Sequence, residues 1–167
     1  MAATGKEFSS VSPNDAVIAM RSWPRRYTAL LRPIDDESNE EKVAQIGRDG
    51  VSALEVATDT ARTWALIEKA MNDIRLHDDT IVHPAIVDQA QRQWATEIVE
   101  PLSSVLAQIH DNANSLADFI DAVGFHDWNR TGKLVGGEEI SLLQLAQIAV
   151  ATGAGNLRRI EKILAEL

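Results

Sequence analysis

Apolar positions along this chain recur every three to four residues, the period of a helix buried on one side. No run alternates with period 2 and β-branched residues do not cluster, so no strand is predicted. The first helix starts at Ser12-Pro13-Asn14-Asp15, where Ser12 can cap and Pro13 suits the first turn. It carries Val17, Met20 and Trp23 inward, and Pro24 should kink or divide it before a second piece from Arg25 to Leu31. Residues 34–50 are acidic and read as a linker over the surface.

Ser52-Ala53-Leu54-Glu55 is a capping box and opens the second long helix, which runs to about Ile74. Its inner stripe is Val56, Thr60, Thr63, Ile67, Met71 and Ile74, opposite Glu55, Arg62, Lys69 and Asp73. Residues 75–83 form a loop, and His83-Pro84 opens a short helix through Trp94. The third long helix spans about 96–123, with a stripe from Leu102 and Val105 through Ile109 and Leu116 to Ile120. A loop over 125–140 follows. Ser141-Leu142-Leu143-Gln144 is a second capping box, opening a helix that reaches the end of the sequence. Four long helical segments predict an all-α four-helix bundle, with residues 1–11 flexible and 12–167 as one domain.

A chain of 167 residues and 18.3 kDa buries roughly 70% of its unfolded surface, enough for a core without staples. The net charge of −9 repels phosphate backbones and anionic bilayers, so neither nucleic acid nor membrane is an expected partner. The absence of cysteine removes disulfides and thiolate chemistry. With no apolar run of transmembrane length and no signal-like N-terminus, a cytoplasmic protein is the expectation.

No phosphate loop, His-Glu-x-x-His or nucleophile elbow is present. The anomaly is in the last helix. Thr152 and Asn156 fall on its core face, one turn apart, with Gly153 and Gly155 beside them. Two glycines inside a helix cost about 1 kcal/mol each relative to alanine. Close helix packing is one explanation and a polar pocket between helices is the other. Asp59 lies at the border of its helix's apolar stripe. It is either solvated or faces inward, where Thr152 and Asn156 are its obvious donors. Thr63, Trp64 and Trp94 read as wall or core residues around such a site, and Trp23 likewise. The histidines, His77, His83, His110 and His126, show no metal-ligand spacing. Arg25-Arg26 suits either a solvated face with salt bridges or an anionic ligand.

Four segments, in order, carry a resemblance over residues 15–167. They are Arg21-Ser22-Trp23-Pro24-Arg25-Arg26-Tyr27, Ser52-Ala53-Leu54-Glu55-Val56-Ala57, Asp127-Trp128-Asn129-Arg130-Thr131-Gly132 and Leu157-Arg158-Arg159-Ile160. Together they resemble the DinB-like superfamily, on the actinobacterial branch near mycothiol-dependent maleylpyruvate isomerases. The resemblance implies a DinB-like four-helix bundle, often a homodimer, with a divalent metal held by three histidines and a thiol cofactor. Those histidine positions fall on Asp59, Thr152 and Asn156 here. One carboxylate and two neutral oxygen ligands should not hold Zn²⁺ or Ni²⁺ tightly, so no metal or thiol cofactor is expected. The expectation is a metal-free bundle that binds a small molecule at Asp59, Thr63, Trp64, Thr152 and Asn156, or acts through self-association. Two alternatives are an isomerase or cyclase with Asp59 as general base, and a weak metal-dependent thiol transferase in which His77 or His126 joins Asp59.

Overall fold

The computed structural model describes residues 8–32, 39–88 and 100–167. Trp94 and the start of the third long helix expected at about 96 lie outside the described residues. Five α-helices carry the fold: α1 (Pro13–Leu31), α2 (Asn39–Ala44), α3 (Ala53–Leu76), α4 (Leu102–Ala122) and α5 (Leu142–Glu166). The all-α four-helix bundle expected from the sequence is the fold observed.

Three helices begin by the same device. Ser12, Ser52 and Ser141 each accept from the backbone N–H three residues on, at 3.1 Å. The side chains of Asp15, Glu55 and Gln144 accept in return from the serine N–H groups. Each box satisfies two of the donors that a helix start leaves bare.

Side-chain contacts fix the directions. The Trp64 indole donates to the Ala149 carbonyl, while Asn156 donates to Thr60, so α3 and α5 run antiparallel. Gln147 donates to the carbonyls of Ser9 and Val11, and Tyr27 to that of Gly153, so α1 runs parallel to α5. Asn112 donates to the Ala61 carbonyl and Arg75 lies over the Phe119 ring, so α3 and α4 run parallel. It follows that α1 and α4 are antiparallel, and Arg21 pairs with Asp118 between them. Around the bundle the order is α1, α4, α3, α5, and the connections α1–α3 and α4–α5 cross its diagonals.

Four local expectations need correction. Pro24 does not divide α1. It removes one donor to the Met20 carbonyl, but Met20, Trp23, Tyr27 and Leu31 are all buried, and their packing holds the helix across the gap. The linker 34–50 includes α2, whose Val43 and Asn39 are buried on the bundle. Helix α3 passes Ile74 and ends at Leu76, with the His77 N–H bonded to the Asp73 carbonyl. The loop 125–140 folds into a 3₁₀ turn, Phe125–Asp127, and a hairpin of β1 (Thr131–Lys133) and β2 (Glu139–Ser141). Such short strands leave too little alternation to read, and Gly137, at φ +90°, makes the reversal possible.

That loop is a clasp. The Arg130 guanidinium donates to the Ile74 carbonyl at 3.1 Å and lies 3.6 Å from Asp78, satisfying an acceptor at the α3 C-terminus. A Cβ at Gly132 would sit 2.9 Å from Ile74 Cδ1, so only glycine lets the hairpin close on that helix end.

At the core, Trp23, Tyr27 and Trp64 stack edge to face, with centroids 6.3 and 6.0 Å apart. The Trp23 indole lies on Gly153, where a Cβ would come within 2.5 Å of Cε2 and Nε1. Close packing therefore explains Gly153. Nothing lies within 4 Å of a Cβ at Gly155, so packing does not explain that glycine.

Two substitutions should separate the two glycines in urea unfolding. Gly153→Ala drives a methyl into a rigid indole and should cost about 1–3 kcal/mol. Gly155→Ala has space and helical backbone and should gain about 0.5–1 kcal/mol. A Gly153→Ala protein as stable as its parent would disprove the Trp23–Gly153 approach.

Candidate functional site

The first half of α3, the second half of α1 and the middle of α5 bring polar groups into the core. Asp59 is 7% exposed, so the border position on its stripe resolves to the interior, not to solvent. The reason is crowding. Helix α3 packs against both α4 and α5, and residues Ala53 to Ala61 are buried nearly all round except Glu55. The Asn156 amide donates to Thr60 Oγ1 at 2.8 Å and to Asp59 Oδ2 at 3.4 Å. Thr60 in turn donates to the Val56 carbonyl at 2.8 Å. Asp59 and Asn156, singled out in the sequence, do converge.

Thr63 lies one turn beyond Asp59 on α3, and Thr152 one turn before Asn156 on α5. Both hydroxyls are buried, and neither has a hydrogen-bond partner among the described residues. Trp23 Nε1, set against Gly153 next to Thr152, is buried and unpartnered as well. Trp64, one residue after Thr63, is fully buried and its indole N–H is used on the Ala149 carbonyl. Outside, the Arg26 guanidinium covers the Trp23 ring at 4.6 Å.

Sequence reasoning missed Tyr27 and Thr60 as members. Tyr27 Oη donates to the Gly153 carbonyl at 2.7 Å. Burial pushes its phenol well above the ordinary range, and Thr60 and Arg26 offset only part of this. Tyr27 is thus a fixed neutral donor. The available signal was Thr60 itself, a hydroxyl on a stripe otherwise suited to aliphatic residues.

The alternative in which a loop histidine joins Asp59 to rebuild a metal site is not supported by the placement of the histidines. His77 is about 18 residues along α3 from Asp59, or about 27 Å. His126 follows the end of α4, which is parallel to α3, and so lies at the same far end. His83 Nδ1 accepts from the Ala85 N–H, and the His110 side chain is exposed beside Asp111. Among the described residues, no three His, Cys, Asp or Glu side chains are grouped to hold a metal ion. Asp59, Thr152 and Asn156 supply one carboxylate, one hydroxyl and one amide whose nitrogen is directed at Asp59 and Thr60. That donor set does not fit a tightly held transition metal. No helix among the described residues is long and apolar enough to cross a membrane.

No family model matches the sequence, and none of the curated proteins compared with it is similar enough to match. Among solved structures the chain is similar to YfiT from Bacillus subtilis, described as a probable metal-dependent hydrolase with an unusual four-helix bundle topology. The TM-score is 0.74 at 12% identity, over 93% of this chain and 87% of that one. At that identity the likeness is one of fold.

Proposed function

We propose that this chain binds a small hydrogen-bonding molecule between α1, α3 and α5, at Asp59, Thr63, Trp64, Thr152 and Asn156. One observation carries the reading: the Thr63 and Thr152 hydroxyls and the Trp23 indole N–H are each buried without a partner among the described residues. Each such group costs about 1–3 kcal/mol when left unsatisfied. A core selected for packing alone would carry valine at 63 and 152, which has the same shape and no hydroxyl. Retaining them makes sense if a ligand supplies their partners when it binds.

The cluster states what kind of ligand fits. Asp59 accepts hydrogen bonds and disfavours an anion. The threonine hydroxyls accept or donate, and Trp23 donates. A neutral or cationic molecule with both donors and acceptors matches, such as an amide, a polyol or an amine. YfiT is described as metal-dependent, but the side chains at this cluster do not support a metal-borne reaction, so binding is the reading they favour.

Thr63→Val and Thr152→Val should each stabilise the ligand-free protein by about 1 kcal/mol, which raises the melting temperature by about 2–4 °C in a domain of this size. A loss of stability in both would show that the hydroxyls already have partners, and the reading would fall.

The second test uses untagged protein and a panel of small amides, polyols and amines. A binder should raise the melting temperature and shift tryptophan emission, because Trp23 and Trp64 border the cluster. Thr152→Val should abolish both responses. Zn²⁺ and Ni²⁺ should leave the melting temperature unchanged, and stoichiometric zinc or nickel in the purified protein would overturn the proposal.

A further inference from the structure

On the other side of α1, away from the buried cluster, α1 and α4 enclose a groove of about 690 Å³. Arg21, Arg25, Thr28 and Arg32 face it from α1, at i, i+4, i+7 and i+11, which is one face of a helix. His110 and Asn114 face it from α4. Between the long side chains, Pro24 and Ala29 form a low apolar floor. The volume is that of a small-molecule site, with a few polar groups converging over apolar surface.

The charges in the groove are unevenly compensated. Arg21 is bonded to Asp118 at 2.7 Å, and Arg32 has Glu40 at 3.9 Å. His110 has Asp111 at 3.3 Å. Arg25, between the two other arginines, has no ion pair among the described residues. In a chain with 25 acidic and 16 basic residues, an arginine without a carboxylate in a concave site is unexpected. Its guanidinium offers a planar fork of donors suited to two oxygens of one anion. Thr28, one turn on, adds a hydroxyl.

We infer that this groove binds a small organic oxyanion, a phosphate monoester or a carboxylate, with its charged head on Arg25 and Thr28 and its apolar body on Pro24 and Ala29. Arg21 and Arg32 contribute field on either side. Bulk repulsion from the net negative chain selects against large polyanions, which would also meet Asp118 and Glu40 at the rim. A compact head group does not reach them.

The test is titration of the full chain by calorimetry and amide NMR at low salt. Phenyl phosphate and benzoate are the probes that separate the two head groups, with inorganic phosphate and phenol as controls. One aromatic anion should bind at least about tenfold more tightly than either control, with shifts confined to α1 and α4. Arg25→Gln should weaken it about tenfold or more. Arg25 is exposed and has no ion pair among the described residues, so this variant should fold, which circular dichroism checks. Thr152→Val should leave this binding unchanged, which separates the groove from the buried cluster.

The inference is overturned if Arg25→Gln binds as well as the parent, or if inorganic phosphate binds as tightly as phenyl phosphate. It is also overturned if no probe binds at about 10 mM. Sedimentation supplies the last check. If Arg25→Gln converts a dimer into a monomer, the occupant of the groove is a second copy of the chain and the small-anion assignment fails.

Discussion

The bundle turns on the approach of Trp23 to Gly153. The indole occupies the space that any side chain at 153 would need, at a notional 2.5 Å. That approach sets how close α1 lies to α5. It places Tyr27, one turn on, within reach of the Gly153 carbonyl, and Tyr27 then meets Trp64 across the bundle diagonal. Trp64 completes the chain by bonding to Ala149 on α5. Three helices are therefore registered by three aromatic side chains and two carbonyls on one helix. Interiors pack like crystals, so registers of this kind do not adjust smoothly. A wider contact at Gly153 would loosen each of the others in turn.

The same register creates the polar cluster. With Trp23 seated on Gly153, the residues flanking that glycine on α5 are drawn toward α1 and α3. Thr152 and Asn156 are both buried, and Asp59 and Thr60 meet Asn156 from α3. Half of this set is satisfied and half is not. Asn156 joins Asp59 and Thr60, and Tyr27 is fixed as a neutral donor. Thr63, Thr152 and Trp23 Nε1 are orphaned. A partly satisfied buried network is costlier than either a complete one or an apolar core. That imbalance separates this cluster from ordinary buried polar residues, and it bears on function more directly than the fold does.

Much of this was legible from the sequence, for reasons that differ by residue. Helix starts are encoded within four residues, so Ser52–Glu55 and Ser141–Gln144 announce themselves. The stripes of α3 and α4 follow from period alone. Thr152-Gly-Ala-Gly-Asn156 was conspicuous because it contradicts helix propensity at a core position. What could not be read depends on partners far along the chain. Gly153 answers to a tryptophan 130 residues earlier in the sequence, and Asp59 is buried because two helices flank α3, which its own stripe does not reveal. Pro24 was misread because the rule for proline counts a lost hydrogen bond but not the packing around it. The hairpin over 131–141 was missed because three-residue strands carry almost no pattern.

Helix α1 relates the two sites. Its inner face carries Trp23 and Tyr27 to the buried cluster, and its outer face carries Arg21, Arg25, Thr28 and Arg32 to the groove. Pro24 and Arg26 sit between those faces, Pro24 in the groove floor and Arg26 over the Trp23 ring. The proline has removed one rung of the helix at this level, so the segment between the faces resists local distortion less than the rest of α1 does. The Trp23 ring lies between Gly153 on one side and the Arg26 guanidinium on the other. An anion on Arg25 would hold the neighbouring turn in place. If a molecule in the cluster shifts Trp23 when bound, an anion that stiffens the turn around Pro24 opposes that shift, and each ligand then weakens the other's binding by the same factor.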